Sequence, residues 1–148
     1  MVKKVSIAEV RDIMDCRIMM ETFSAKLAVR NFPKHPEIQK KMQDALASLK
    51  DIQFNDYAKA SQLEQVFHGS IIELTENQKL IHLYKMLLGV GFSFYVYSSS
   101  NHPIERLEVA LQEHTLMYEY LEKGDYEKFE AVLRSHLEKT IELYETFV

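Results

Sequence analysis

Three histidines on apolar helix faces, with one carboxylate beside them, are the residues of this sequence best suited to chemistry. His114 and His136 fall in the apolar stripes of two predicted helices, at spacings of three and four residues. His68 has apolar neighbours, and Glu64 lies one turn before it on the same helix face. Burying such groups without partners costs about 1–3 kcal/mol each. The pattern therefore predicts that they bind one another, form other hydrogen bonds or hold a metal ion.

The residue types favour a divalent transition metal. Neutral imidazoles and a carboxylate suit zinc or nickel, with manganese or iron as alternatives, better than calcium or magnesium. Four protein ligands complete a tetrahedral site, but a five- or six-coordinate ion keeps an open position for water or a small carboxylate. Periodicity does not show whether the three helices converge. Hydrogen-bonded core histidines, and a hydrogen-bonded pair of Glu64 and His68, are therefore the alternatives to a metal site.

The other three histidines are expected at the surface. His35 and His102 each precede a proline in a predicted loop, and His82 lies on the helix face away from its apolar neighbours. These three residues are therefore not expected to bind a metal.

Helical periodicity and capping residues predict an all-α fold, an antiparallel bundle of about six helices in one domain, residues 1–148. Ser6 and Glu9 form a capping box before a first helix that reaches about Arg30. The apolar stripe predicted for this helix is Ile13, Met20, Phe23 and Leu27. The prolines in segment 31–36 then break the helix.

The later helices are marked by further caps. A second helix is predicted over about 37–51, with the stripe Ile38, Met42, Ala45 and Leu49, and Asn55 or Asp56 caps a third that runs to about Leu74. Asn77 caps the fourth, and its continuation through 89–97 is expected to be a buried helix end or an interface, before a loop at 98–102. Pro103 opens the fifth helix and Gly124 ends it, and Asp125 caps a sixth that runs almost to Val148.

Composition narrows the classes of partner. The net charge is -4 and the basic residues are scattered, which argues against this chain binding nucleic acid by itself. A single cysteine, Cys16, excludes an internal disulfide and fits a reducing compartment. No leader and no apolar run of about 18 residues is seen, so a cytoplasmic protein without a membrane span is expected.

Short motifs spread along the chain resemble those of one family. Glu64 to His68 is similar to its Asp-x-x-Phe-His motif, and Glu113–His114 resembles its Glu-His pair. Further similar motifs are Arg17 with Glu21, Asn77, Gly124–Asp125, and Arg134 to Leu137, which contains His136. In these motifs the sequence resembles the FCD domain, the C-terminal effector-binding domain of FadR-type regulators in the GntR family of transcriptional regulators.

The resemblance implies a role for the four candidate residues. Glu64, His68, His114 and His136 would occupy the family's metal-ligand positions, in a dimeric helical bundle that senses small organic acids and is not an enzyme. The family's first ligand is usually Asp, so Glu64 is a departure that shifts or weakens coordination. Some members bind their effector without a metal, which leaves a metal-free pocket as an alternative.

Two arginines are candidates for holding the acid. Arg17 is expected to face at least partly inward, and its guanidinium can bind a carboxylate through two parallel hydrogen bonds. The alternative is a salt bridge with Glu21 at i, i+4, worth a few tenths of a kcal/mol if exposed. Arg106 is a weaker candidate, because it is expected to be exposed.

Three functions stay open at this point. A sensor would pass its response to DNA only through an N-terminal winged-helix domain, which this sequence does not contain, so it is an excised domain or a stand-alone version. A metalloenzyme would use the open metal position, but no second acid or base is expected nearby, because Glu113 points roughly 100° away from His114 on its helix. A structural module would use the metal only to pin helices, with segment 92–97 as a dimer interface.

Overall fold

A computed structural model of the chain describes residues 6–52, 56–88 and 103–147, with side chains except those of 7, 57, 103–106 and 143–147. The described residues form six α-helices and no strand, as predicted. The helices are α1 (Ile7–Asn31), α2 (Pro36–Lys50), α3 (Tyr57–Glu73), α4 (Gln78–Leu87), α5 (Pro103–Lys123) and α6 (Tyr126–Phe147), with a short 3-10 helix (Phe32–Lys34) after α1. None of the described helices is both long and apolar enough to span a membrane.

Helix ends follow the predicted caps closely. The Ser6 hydroxyl accepts from the Glu9 amide at 3.1 Å, and the Glu9 carboxylate accepts from the Ser6 amide at 2.9 Å. Asp56 caps α3 by accepting from the Lys59 amide, and Asn77 caps α4. Gly124 follows α5 with a φ of +67°, a conformation that only glycine adopts without strain. Asn55 and the segments 89–97 and 98–102 lie outside the described residues.

The apolar stripe predicted for α1 is wrong, because one of its residues is exposed and the other three are not fully buried. Phe23 is 64% exposed, and Ile13, Met20 and Leu27 are only half-buried. The buried face of α1 consists of Val10, Met14, Arg17, Glu21, Ser24, Ala25, Ala28 and Asn31. Because its middle is polar, this face carries no hydrophobic periodicity at the point where the helix crosses the site.

Four helices enclose one core and so turn their inner faces toward one another. The helix α1 packs against α3 and α6, and α5 packs against α6. Phe67, Met117, Phe129 and Leu133 are fully buried between them. The Phe32 ring meets the Tyr118 ring edge-on, with centroids 5.5 Å apart, and ties the end of α1 to α5. The helix α2 covers α3 with the predicted stripe Ile38, Met42, Ala45 and Leu49, all of which is buried.

His35 is half-buried and held by two carboxylates, where the sequence predicted a solvated side chain. Its Nδ1 lies 2.9 Å from Glu37 Oε1 and its Nε2 lies 2.8 Å from Glu76 Oε1. The reason is that the turn between α3 and α4 passes beside the start of α2. His82 is exposed, as predicted, and His102 lies outside the described residues.

This contact should make stability weakly dependent on pH. The hydrogen bonds to Glu37 and Glu76 raise the pKa of His35, so the contact stabilises the fold below the ordinary histidine pKa of about 6.5 and loses that effect as pH rises through the raised pKa. We expect His35→Gln to cost about 0.5 kcal/mol at pH 5.5 and almost nothing at pH 9, since partly exposed ion pairs contribute little. Urea unfolding at both pH values measures the difference, and an equal cost at both would contradict the assignment.

Candidate metal centre

The four predicted ligand residues converge in the core. Glu64 and His68 come from α3, His114 from α5 and His136 from α6, and one ligand atom of each lies within 4.8 Å of all the others. All four side chains are buried, with at most 6% of any residue exposed. The His68 and His136 rings stack with centroids 5.2 Å apart, and the His114 ring meets both at steep angles. Three helices therefore direct three imidazoles and a carboxylate to one point.

The orientation of His68 is fixed by a buried carboxylate of α1. Glu21 Oε1 lies 2.5 Å from His68 Nδ1, and at most 1% of either side chain is exposed. The other oxygen of Glu21 accepts from Arg17 Nε at 2.9 Å and from the Tyr84 hydroxyl at 3.1 Å. A carboxylate on one ring nitrogen leaves Nε2 of His68 to face the cluster, the arrangement that most metal-binding histidines have.

Glu21 stays ionised in this setting. Burial opposes the charged form, but the Arg17 guanidinium and His68 outweigh burial and lower the pKa of Glu21 to about 2. The pKa of Arg17 is raised, because the charge of Glu21 outweighs the opposing effect of burial. Burial raises the pKa of Tyr84 far above its usual value, so its hydroxyl stays protonated and donates a hydrogen bond to Glu21. The three groups form a satisfied, charged unit behind His68.

Glu113 orients His136 in the same manner, contrary to the expectation that it points away from the site. Its Oε1 lies 3.2 Å from His136 Nδ1 and its Oε2 lies 3.5 Å from Lys139 Nζ. Neighbouring side chains such as Glu113 and His114 do point about 100° apart on a helix. Because α6 packs along α5, its residues can still contact both side chains. Glu113 and Glu21 are thus two carboxylates in contact with histidines of the cluster that the predicted set of ligands did not include.

His114 is the one ring of the three without a carboxylate at hydrogen-bond distance. Its Nε2 lies 2.9 Å from His68 Nε2, and its buried Nδ1 has no hydrogen-bond partner. The same Nδ1 lies 3.7 Å from Glu64 Oε1, beyond hydrogen-bond distance.

The His114 and His136 rings are neutral at neutral pH, and the neutral ring is the form that binds metals. Burial lowers the pKa of His114 well below its usual value, more than Glu64 raises it. Burial likewise lowers the pKa of His136, against the opposing hydrogen bond from Glu113. A metal ion therefore displaces no proton from these two rings near pH 7.

The residues present fit a divalent transition metal. An unpartnered buried polar atom costs about 1–3 kcal/mol, and a metal ion bound by His114 Nδ1 and Glu64 would remove that cost. The extra methylene of Glu64 does not carry its carboxylate away from the cluster, since Oε2 lies 3.8 Å from His68 Nε2. Hydrogen-bonded core histidines, the simpler interpretation, account for His68 and His136 but not for His114.

The two arginine candidates have different outcomes. Arg17 faces inward, as expected, but it forms the alternative salt bridge with Glu21, which is buried rather than exposed. The side chain of Arg106, in the first turn of α5, lies outside the described residues. Its role as an effector contact stays a prediction.

Comparison with known proteins agrees with the geometry. A family model described as the FCD domain matches residues 12–139. Among solved structures, E. coli McbR/YncC is similar with a TM-score of 0.81 and 21% identity, over 99% of this chain and 69% of that one, a likeness that shows a shared fold. The comparison with curated proteins finds no match. The family resemblance of the sequence is thus confirmed, and the chain belongs to the FCD domain family.

Proposed function

We propose that this domain senses a small organic acid at one divalent metal ion, as the effector-binding part of a bacterial transcriptional regulator. Glu64, His68, His114 and His136 would hold the ion, with zinc or nickel first among the candidates and manganese or iron as alternatives. The observation that carries this proposal is the convergence of these four side chains in a member of the FCD family. When bound, the metal supplies a positive charge that binds the carboxylate of the acid.

Two features of the chain support a place for the acid beside the metal. Ser61 precedes Glu64 by one helical turn, and its buried hydroxyl has no hydrogen-bond partner. Arg17 binds Glu21 through Nε, and its terminal nitrogen Nη1 lies 4.0 Å from the Met14 sulfur. We propose that Ser61 and the terminal nitrogens of Arg17 contact the acid, and Arg106 stays a further candidate.

A sensor agrees with the site better than a catalyst does. The carboxylates nearest the histidines, Glu21 and Glu113, each bind one imidazole and one cationic side chain. They therefore position ligands, and neither is placed as a general acid or base for a substrate. In the regulator that we propose, a linked winged-helix domain binds DNA, and this domain changes its operator affinity when the acid binds.

Exposed apolar side chains on α1 and α4 support a homodimer. Met19 and Phe23 are 61% and 64% exposed, and Leu83 and Met86 are 51% and 68% exposed. The two helices are in contact, and side chains of this kind gathered on a surface mark interaction sites. We propose that this face, Met19, Phe23, Leu83 and Met86, pairs with a second copy.

Removing the apolar face should break the dimer. We expect sedimentation equilibrium to give a mass of two chains for the natural sequence and of one chain for Phe23→Asp. Lys40→Asp, an exposed change on α2, is the control and should leave the dimer intact. If the natural protein and Phe23→Asp were both monomers, or both dimers, the result would contradict the assignment of this face as the dimer interface.

The sensor is tested by titrating acids into metal-loaded protein. Calorimetry with a panel of mono-, di- and tricarboxylates should detect binding of at least one acid, and NMR of the mixture should show that the acid is not consumed. Removing the metal with a chelator should weaken binding at least tenfold, a difference of about 1.4 kcal/mol. Equal affinity for the chelated protein would favour the metal-free pocket, turnover would favour an enzyme, and no binding would reject the sensor.

A further inference from the structure

One residue of α4 reaches the metal centre through a carboxylate. Tyr84 is buried, whereas the rest of α4 from Gln78 to Leu87 is exposed or half-buried. Its hydroxyl donates to Glu21 Oε2 at 3.1 Å, and Glu21 Oε1 is the atom that holds His68 Nδ1 at 2.5 Å. The path from α4 to the cluster therefore has two hydrogen bonds and one rigid carboxylate.

The geometry makes the two ends of this path dependent on each other. The two oxygens of a carboxylate move together, so a shift of the His68 ring displaces the acceptor of the Tyr84 hydroxyl. Arg17 Nε binds the same oxygen as Tyr84, and it limits Glu21 to motions that pivot about that contact. The surroundings are close-packed, and such interiors pass small shifts on rather than absorbing them.

We propose that Tyr84 is a positioning residue of the metal centre and that Tyr84, Glu21 and His68 couple metal binding to the position and stability of α4. This coupling rests on the proposed function, since it needs a metal at the cluster. It deepens that function, because α4 also carries Leu83 and Met86 of the proposed dimer face. Through α4, metal binding would thereby affect the surface at which two copies meet.

Hydrogen exchange of the α4 amides tests the coupling at one protein concentration, with and without one equivalent of zinc. We compare the natural sequence with Tyr84→Phe, which keeps the ring and removes the hydroxyl, and with Lys79→Ala, an exposed change on α4. Without metal, Tyr84→Phe should speed exchange of these amides about tenfold or more, because the lost hydrogen bond is to a charged acceptor. Lys79→Ala should leave exchange unchanged.

With zinc, α4 exchange should slow in the natural protein and in Lys79→Ala, and the slowing should be largely lost in Tyr84→Phe. Calorimetry on the same samples should show that Tyr84→Phe still binds zinc, weakened by up to about 10–100-fold as for other residues that orient metal ligands. Zinc binding with the same change of α4 exchange in all three proteins, or with no change in any, overturns the coupling alone. An absence of zinc binding to the natural protein overturns the coupling and the proposed function together.

Discussion

Saturating zinc should raise the thermal midpoint of the natural protein by about 8–16 °C, and His114→Ala should lose most of that rise. A ligand at a free concentration of about 1,000 times its Kd stabilises the native state by about 4 kcal/mol. For a chain of this size, 1 kcal/mol corresponds to about 2–4 °C. Among the described side chains, His114 contributes the one buried imidazole nitrogen that lacks a partner, so its removal takes away a proposed ligand and the reason for a cation at that point.

Differential scanning calorimetry measures this rise as the difference between zinc-loaded and chelated samples of each protein. Because each variant is compared with its own chelated form, any effect of the substitution on folding cancels. His82→Ala removes an exposed histidine and is the matched control, which should respond like the natural protein. An equal rise in His114→Ala would place the zinc at another site.

Glu21→Ala should destabilise the metal-free protein by about 3–5 kcal/mol, the cost of leaving one partner of a buried ion pair alone. Arg17 is 5% exposed and would keep its charge without a counterion, and His68 and Tyr84 would lose their acceptor. The double variant Arg17→Met, Glu21→Leu should recover most of the loss, since apolar residues of similar volume often replace a buried ion pair without cost. Urea unfolding measures both.

An exposed ion pair at the same spacing provides the control. Lys40 and Asp44 lie 3.0 Å apart with both side chains well exposed, and Lys40→Ala should cost only about 0.2–0.5 kcal/mol. A loss below about 1 kcal/mol in Glu21→Ala, or a double variant as unstable as the single one, would contradict the buried pair. The stabilisation by Glu21 should persist at all pH values above the ordinary glutamate pKa of about 4.5 and fade as pH falls toward 2, because its pKa is lowered to about 2 in the fold.

Local chemistry explains why most of the fold was predictable. Ser6, Asp56, Asn77 and Gly124 act on backbone groups within three or four residues of themselves, so their effect is visible in sequence. The burial of His68, His114 and His136 was predictable for a similar reason, since each lies on an apolar helix face. Their convergence was not, because periodicity gives the direction of a side chain from its own helix and not the distance between helices, and only the family resemblance implied that they act together with Glu64 as metal ligands.

The rest of the site depends on tertiary contacts that leave no local pattern. Glu21 looks like half of a surface salt bridge with Arg17, and only the packing of α1 against α3 and α6 buries both. Phe23 was wrongly assigned to the buried stripe of α1. The reason is that the buried face of α1 is polar where it meets the histidines, so hydrophobic periodicity did not mark it. Glu113 is adjacent to His114 in the sequence, and it becomes a partner of His136 only because α6 lies alongside α5.

The most direct test of the metal centre is an anomalous diffraction map of the protein crystallised with one equivalent of zinc, collected at the zinc absorption edge. The predicted result is a single strong peak per chain, within coordination distance of Glu64, His68, His114 and His136, at about 2.0–2.2 Å from each ligand atom. A fully occupied peak elsewhere on the chain, or no peak among these four side chains, would contradict the assignment of this cluster as the metal centre.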